Sequence, residues 1–361
     1  MVNNLQFRLF AFKQVNDCNT WVLRNGEAMF VVTDHRQEDD YVLNTCKDEQ
    51  QIDSVYDVSF HVKNVEESFE KAVCGGAEPV CEPKIIKDAY GEVSIAAVRS
   101  CVGDVIHTLL NTDNYTGVFL PGFTECLGLQ ETEMDQNVHF DHVTYVCTIG
   151  DSERVLKWYE KCFGLKRLKI NSDEDKDEGF VVRVNDVGMR LKAMEYWRCN
   201  STRFAAASDD NSEQPTIFVI AEPLPGQGKN KIATFLREHR GAGVQHIGLH
   251  TPDLVHTVSS LRHSGLEFVQ PPEAYYTKVG KLDEIIESGE EVTTLQKYGI
   301  LLDAETDEVK PEDKNNNRYL MQVFTKPLFN EDTFFFEYVQ RCGATGFGAG
   351  NISALFRAIQ K

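Results

Sequence analysis

A gap-free internal repeat is the feature that most constrains the fold of this 361-residue chain. Residues 58–83 align with residues 247–272 at a constant offset, which matches His61 with His250 and Gly76 with Gly265. Each copy indicates a short apolar strand, an amphipathic helix, a glycine-containing stop and a second strand that ends in proline. Such a unit leaves one face of its sheet uncovered, so it must pack against another unit.

Two further segments have the same order of elements, which predicts four modules in two pairs. Residues 140–170 contain a strand, a helix, a glycine and a strand, and FRLFAFKQV near the start resembles the end of that helix. We therefore expect the first module to lack its opening strand, either because the domain tolerates an open sheet edge there or because the chain is shortened. We predict an N-terminal domain, a polar acidic linker and a C-terminal domain at 1–123, 124–138 and 139–361. The Ser/Asp/Asn-rich segment 198–215 is predicted to be a surface loop.

The composition argues against several classes of protein. Asp and Glu outnumber Lys and Arg by 56 to 37, and a net charge of −19 repels nucleic-acid phosphates and anionic membrane surfaces. No run is long and apolar enough to span a membrane, and residues 1–13 are too short and mixed for a secretory signal. The ten cysteines form no C-x-x-C pair, which favours reduced thiols over a zinc–cysteine site.

Three strands each carry one metal-ligand side chain among apolar residues. Strict alternation predicts three faces, composed of Phe140, His142, Thr144 and Val146, of Val244, His246 and Gly248, and of Phe335, Glu337 and Val339. A carboxylate beside phenylalanines costs too much to bury alone, so Glu337 needs a cation or strong hydrogen-bond donors. Two histidines and one carboxylate leave half of an octahedron open, which suits a non-haem iron(II) that binds substrate and O₂ together.

The alternative for each histidine is structural, because a single strand histidine is more often packed or hydrogen-bonded than bound to metal. The repeat favours His142 and His246 as ligands, since each lies in a strand that opens a module. Asp57 occupies the position that matches His246 in the first copy, so we expect a metal-free N-terminal domain. The glycine-rich segment 343–351 indicates either a hinge or a gate that closes a helix over the site.

Ordered blocks of this chain resemble the 4-hydroxyphenylpyruvate dioxygenase family. They are VQHIGL, FTKPLFNEDTFFFEYVQR and GFGAGNISALFRAI, with FLPGF and FDHV on either side of the predicted linker. The resemblance covers nearly the whole chain, and PPEAYYTKVGK and QKYGILLD are most similar to the dioxygenase-like branch of animals, whose expected chemistry is similar to that of the 4-hydroxymandelate synthases. It implies an α+β fold of two vicinal oxygen chelate domains, like those of glyoxalases and bleomycin-resistance proteins, built from paired βαβββ modules.

The resemblance also implies a site and its reactants. One iron(II) per chain would be held by His142, His246 and Glu337. The family's catalytic positions carry over to Gln322, Phe324, Phe335, Phe347 and Asn351, and its substrate-binding positions to Gln245, Ala221, Lys231 and Ile352. The implied reactants are O₂ and a small aromatic 2-oxoacid that chelates the iron through its carboxylate and keto oxygens. Phenylalanine walls would hold the ring, and the neutral amide of Gln322 would add no charge near the iron.

Several positions depart from the homogentisate-forming dioxygenases. Ala221 stands where those enzymes have Asn, Ile352 where they have Phe, and Leu191 where they have a Ser; the first two changes lean toward the mandelate synthases. The loss of polar contacts to the ring favours oxidation at the benzylic carbon, so the predicted product is 4-hydroxymandelate. Lys231 replaces a glutamine usual in both groups, and it either adds charge beside the substrate or faces solvent.

Other functions stay open alongside this one. They are homogentisate formation in tyrosine catabolism, extradiol ring cleavage on the same fold, and a non-catalytic paralogue that binds a metabolite. The intact triad argues against the last, because a dead copy has no physical need for a buried Glu337; Gln322 and the glycine-rich gate argue against extradiol cleavage. From the resemblance we also expect a mitochondrial location, with the cytoplasm as the alternative, and a role in making the ubiquinone head group. It leaves a homodimer open.

Overall fold

The structure is a computed structural model that describes residues 2–359, apart from 16–17, 35–51, 127–137, 171–173, 185–186, 196–215, 227–229, 279 and 306–317. The strands in these described parts form two four-stranded sheets and one nine-stranded sheet. Most of the predicted linker and all of the predicted surface loop lie outside the described residues.

The N-terminal half supplies the two small sheets. Their strand orders are β3-β2-β1-β8 and β4-β7-β6-β5. The elements are α1 Val2–Leu5, β1 Arg8–Val15, β2 Cys18–Asn25, β3 Ala28–Thr33, β4 Phe60–His61, α2 Val65–Cys74, β5 Glu78–Asp88, β6 Gly91–Arg99, β7 Ile106–Asn111 and β8 Thr124–Glu125.

In the part of the chain that the structure describes, no strand opens the first module. In the second module, the opening strand β4 pairs in parallel with the last strand, β7. The corresponding last strand of the first module, β3, has only β2 beside it among the described residues, as predicted. Thr124 pairs with Phe12 at the other edge, so the sheet extends into the segment that we had predicted as linker.

The C-terminal half supplies the nine-stranded sheet, in the order β10-β12-β13-β9-β14-β17-β16-β15 with β11 beside β12. The elements are β9 His139–Val146, α3 Ser152–Phe163, β10 Lys166–Leu168, β11 Phe180–Val184, β12 Val187–Glu195, β13 Ile217–Pro223, α4 Lys231–Glu238, β14 Gly243–His250, α5 Leu254–His263, α6 Glu273–Lys278, α7 Lys281–Glu287, α8 Val292–Tyr298, β15 Leu301–Ala304, β16 Tyr319–Phe324, β17 Phe335–Cys342 and α9 Ala349–Ile359.

Two modules meet at the centre of this large sheet. Their opening strands, β9 and β14, pair antiparallel with each other. Each also pairs in parallel with the last strand of its own module, β13 and β17 respectively. The β9–β14 pair is therefore a seam, and a side chain on either strand lies within reach of both modules.

The helical part of the repeat is confirmed. Helices α2 and α5 begin and end at matching positions of the two copies. Their N-cap residues also match, because the side chain of Asn64 accepts a hydrogen bond from the backbone N–H of Glu67 as Asp253 does from His256. Both helices are followed by a glycine with positive φ, which a residue with a side chain adopts only at a cost.

The predicted second strand of the repeat exists only in the first copy, as β5, which continues past Pro83 to Asp88. Residues 266–272 of the second copy form only an isolated bridge from Phe268 to Thr325, so that part of the prediction was wrong.

The two halves share one apolar core. It includes Phe60 and Phe69 from the N-terminal half and Tyr145, Tyr159 and Phe218 from the C-terminal half. The hydroxyl of Tyr159 lies 2.9 Å from Nε2 of His107 and 3.0 Å from Oγ of Ser100, so its polar end is paired inside the core. Each fully buried aromatic side chain contributes about 1.5–3 kcal/mol. No helix in the described residues has the length and apolarity needed to cross a membrane.

Asp57, the counterpart of His246, is held by hydrogen bonds from its own half. It accepts from the backbone N–H and the hydroxyl of Thr108 and from the hydroxyl of Ser59. Burial raises the pKa of its carboxyl from 3.8 to about 6, although these hydrogen bonds oppose the shift. The N-terminal copy thus has a carboxylate fixed by hydroxyl and amide donors at this position.

The raised pKa predicts how replacement of Asp57 changes stability. Because the folded pKa exceeds the unfolded one, the contribution of Asp57 to stability is greatest below pH 4 and is lost as pH rises through about 6. Asp57→Asn removes the buried charge, so it should stabilise the protein by up to about 3 kcal/mol at pH 7.5 and by much less at pH 4. Thermal unfolding at both pH values measures this. Asp113→Asn, at an exposed position of the same half, is the control, and an equal effect of Asp57→Asn at both pH values would contradict the prediction.

Candidate metal centre

Two irregularities in the pairing of β9 with β14 determine which way the side chains of the site point. The register between β9 and β14 shifts at Asp141 and again at Gln245, each directly before a predicted histidine ligand. A β-bulge of this kind turns two consecutive side chains toward one side of the sheet. Each bulged residue consequently lies beside the histidine that follows it. Nδ1–H of His142 donates to Oδ1 of Asp141 at 2.8 Å, and Nδ1–H of His246 donates to Oε1 of Gln245 at 3.3 Å.

The bulges correct two of the predicted faces. Strict alternation placed Phe140 with His142 and Val244 with His246. In the structure, Phe140 and Val244 pack in the core on the opposite side of the sheet, Phe140 against Phe30 at 5.3 Å between ring centroids. One extra residue in each strand shifts the alternation, so every position before the bulge changes sides.

The three predicted ligands come together at one point. Nε2 of His142 lies 3.2 Å and Nε2 of His246 lies 3.4 Å from Oε2 of Glu337, and all three ligand atoms lie within 4.8 Å of one another. All three side chains are buried or nearly so. Neighbouring ligands of an octahedral ion with bonds of about 2.1 Å are about 3 Å apart, so this spacing fits one metal ion.

Gly248 provides the space that this convergence needs. It lies between His142 on β9 and Glu337 on β17 in the same row of the sheet. The imidazole of His142 crosses above Gly248 to reach Glu337, and a Cβ at Gly248 would overlap that ring. A glycine is therefore required at this strand position.

The charges and hydrogen bonds of the site favour a protonated His142 beside an ionised Glu337. Burial lowers the pKa of His142, but the charge of Glu337 and hydrogen bonds with Asp141 and Glu337 outweigh burial and raise it from 6.5 to about 9. Burial lowers the pKa of His246. Burial raises the pKa of Glu337, but the charge of His142 and hydrogen bonds from both histidines lower it to about 2. A metal ion that binds here would replace the proton as the positive partner of Glu337.

The donor set fits a facially coordinated divalent ion. Asp141 and Gln245 accept from Nδ1, so Nε2 of each histidine would be the atom that binds an ion, once the extra proton of His142 has been displaced. Two imidazoles and one carboxylate form the arrangement that non-haem iron(II) oxygenases use, with three positions left for substrate and O₂.

Aromatic side chains surround the three ligands, as predicted. Phe335 stacks on His246 with ring centroids 4.8 Å apart, and Phe324 meets Phe335 edge-on at 6.1 Å. Phe347 lies edge-on to His142 at 6.3 Å. These rings provide flat apolar walls next to the metal ligands.

Two predicted polar residues offer unpaired atoms. Within the described residues, Oε1 of Gln322 and Nδ2 of Asn351 are buried without a hydrogen-bond partner. Oδ1 of Asn351 accepts from the hydroxyl of Tyr275 at 2.6 Å, which fixes the direction of the amide. A buried polar atom left without a partner costs about 1–3 kcal/mol, and a bound ligand with the complementary group removes that cost.

The remaining predicted residues divide into two groups. Ala221, Ile352 and Leu191 pack in the same apolar cluster as Phe347, so no polar group comes from these positions. Lys231 is different, because it is 78% exposed and its ammonium pairs with Asp332 at 2.7 Å. The structure thus does not bring Lys231 to the metal ligands, and the solvent-facing alternative describes its position.

A buried ion pair next to the site was missed from the sequence. Arg341 on β17 contacts both oxygens of Asp141, from Nε to Oδ2 at 2.6 Å and from Nη2 to Oδ1 at 2.8 Å. The sequence did contain a signal for this pair, because Asp141 and Arg341 are charged residues within the apolar strands FDHVTYV and FFFEYVQR. Arg341 also shares a strand face with Glu337, four residues away, which alternation could have shown.

Comparisons with known proteins agree with this geometry. A model of the Glyoxalase/Bleomycin resistance protein/Dioxygenase superfamily matches residues 139–282. A 4-hydroxyphenylpyruvate dioxygenase-like protein of Rattus norvegicus is 35% identical, covering 98% of this chain and 91% of that protein. A 4-hydroxyphenylpyruvate dioxygenase of Neurospora crassa is 33% identical, covering 89% and 72%. A mutant 4-hydroxymandelate synthase from Streptomyces coelicolor has a similar structure, with a TM-score of 0.76 and 27% identity, covering 99% of this chain and 92% of that one.

Substitution of Gly248 tests whether the site depends on the space above it. Gly248→Ala should push the His142 ring away from Glu337 and weaken divalent-metal binding at least about tenfold, which is the usual effect of disturbing a ligand's orientation. Titration with cobalt(II), followed by its visible absorption, measures the affinity. Thermal unfolding without metal serves as the control for folding. Unchanged cobalt affinity in a folded Gly248→Ala protein would show that His142 is not a ligand.

Proposed function

The chain belongs to the 4-hydroxyphenylpyruvate dioxygenase family, and from this premise we propose that it converts 4-hydroxyphenylpyruvate and O₂ to 4-hydroxymandelate and CO₂ with iron(II) as cofactor. The observation that carries the proposal is the buried group of His142, His246 and Glu337, with each histidine held at Nδ1 by the residue before it. A carboxylate buried with two imidazoles is costly without a cation, and a metal ion satisfies all three.

The iron would supply O₂ activation, using electrons from decarboxylation of the 2-oxoacid. The protein's own residues would bind and orient. Phe324, Phe335 and Phe347 would enclose the aromatic ring and exclude water. The unpaired Oε1 of Gln322 would accept a hydrogen bond and Nδ2 of Asn351 would donate one, which matches a substrate with polar groups on an aromatic ring or side chain.

The apolar cluster around Phe347 supports the choice of product. Ala221 is buried beside Leu191 on the neighbouring strand, and Ile352 packs in the same cluster. None of these side chains can hydrogen-bond a phenol or hold the ring for attack by a directed polar contact. Ring and side-chain oxidation differ by small shifts in the position of the reacting carbon, so such contacts decide between them.

Analysis of the product tests the proposal directly. The protein is incubated aerobically with iron(II) and 4-hydroxyphenylpyruvate, and the products are identified by mass spectrometry. We expect 4-hydroxymandelate as the main product with one O₂ consumed per CO₂ released. Mostly homogentisate would overturn the product assignment but keep the dioxygenase. Iron binding with no O₂ consumption would favour the non-catalytic metabolite-binding alternative.

A double substitution tests the role of the apolar cluster. Ala221→Asn with Ile352→Phe restores the residues that we associate with homogentisate formation. It should divert part of the product, from nearly none to at least about a tenth, because about 1.4 kcal/mol changes a product ratio tenfold. Ala193→Ser, a small polar change in the same cluster on β12, is the control and should leave the ratio unchanged. If the double variant is active and still forms only 4-hydroxymandelate, these two positions do not set the product.

We also propose a mitochondrial location and a contribution to ubiquinone head-group synthesis. Similarity to the dioxygenase-like proteins of animals supports this proposal. Loss of the protein should lower ubiquinone, and added 4-hydroxymandelate should restore it. Cell fractionation tests the location, with the cytoplasm as the other outcome.

A further inference from the structure

Arg341 makes contacts in two directions that the proposed chemistry does not use. On one side, it binds both oxygens of Asp141, whose Oδ1 also accepts from Nδ1–H of His142. On the other side, its Nη1 donates to the backbone carbonyl of Gly346 at 2.6 Å. One buried guanidinium thus touches the carboxylate that orients a metal ligand and the glycine-rich segment that leads into α9.

That glycine-rich segment, residues 343–348, places several side chains of the site. It carries Phe347, and the helix behind it carries Asn351 and Ile352. The guanidinium of Arg341 also lies 6.0 Å from the ring of Phe347. A movement of this segment away from the site would therefore remove one aromatic wall and break the contact between Gly346 and Arg341 at the same time.

Arg341 cannot lose one partner without affecting the other. It is 9% exposed, so few water molecules can replace the carbonyl of Gly346 if the segment moves away. A guanidinium forms a planar fork, and its bidentate contact with Asp141 depends on the orientation that the third contact helps to fix. In the described residues the ion-pair partners of Asp141 are Arg341 and His142 itself, so Arg341 is the partner that links the position of Asp141 to another part of the chain.

We propose that Arg341 is a positioning residue that couples closure of segment 343–348 and α9 to the orientation of the metal ligand His142. In the closed arrangement, Arg341 holds Asp141, and Asp141 holds the His142 imidazole with Nε2 directed at the ion. The inference rests on the proposed metal site. Because coupling between two sites is reciprocal, metal binding must favour closure as much as closure favours metal binding.

The chain offers a matched control in Arg318. Its Nε donates to the carbonyl of Gly343 at 2.7 Å, and it pairs with Glu305, which accepts from the backbone N–H groups of Thr345 and Gly346. Arg318 therefore holds the same segment but touches neither Asp141 nor His142 in the structure. Its replacement should loosen the segment without altering the orientation of His142 by direct contact.

The test measures cobalt(II) affinity by visible absorption and the hydrogen exchange of the amides of residues 343–354, with and without cobalt. In the wild type, cobalt should slow exchange in this segment. Arg341→Gln should weaken cobalt binding at least about tenfold and abolish the slowing of exchange. Arg318→Gln should speed exchange in the metal-free protein and keep the slowing of exchange by cobalt. Through the same coupling it should weaken cobalt binding, but by less than Arg341→Gln does, because the contacts of Arg341 with Asp141 stay intact.

Arg341→Lys is a second variant that tests the coupling if Arg341→Gln does not fold. Lysine keeps the charge beside Asp141 but cannot form the same fork to Asp141 and Gly346 together. It should bind cobalt and lose most of the exchange response. A wild type that binds no cobalt refutes the proposed metal site itself. A wild type that binds cobalt, with Arg341→Lys showing the full exchange response, refutes the coupling alone.

Discussion

A single buried negative charge organises the C-terminal half of this protein. Glu337 lies on a central strand between phenylalanines, where an unpaired carboxylate is costly. Its partners are His142 and His246, and each of these has its own support, a bulged Asp141 or Gln245 at Nδ1. Three other features bring the imidazoles to Oε2 of Glu337. They are the open space above Gly248, the two breaks in strand register, and the ion pair between Asp141 and Arg341.

The sequence predicted the architecture well because repetition and alternation are local patterns. The matched helices α2 and α5, and the alternation of Phe335, Glu337 and Val339, depend only on regular backbone geometry. The faces that contain Phe140 and Val244 were wrong, because a bulge depends on a partner strand far away in the chain. The pair between Asp141 and Arg341 was missed for the same reason, since 200 positions separate its members.

The two halves show how one module type supports different roles. At the matching position, His246 faces Glu337, whereas Asp57 is fixed by donors from Thr108 and Ser59. The carboxylate oxygens of Asp57 are occupied by hydroxyl and amide donors, while the imidazole of His246 has a lone pair to offer a metal ion. The difference between the two halves thus begins with the hydrogen bonds around one strand position.

The seam between β9 and β14 affects how the fold is assembled. The ligands stand at positions 142, 246 and 337, so they are separated along the chain by roughly 100 residues each. An ion held by all three acts as a cross-link that closes two long loops, and closing a loop of that length is worth about 4–5 kcal/mol in chain entropy. Neither module contains the full ligand set, so the ion cannot nucleate folding of one module alone. It instead stabilises the state in which both modules have already docked. Metal binding therefore depends on complete assembly of the two modules.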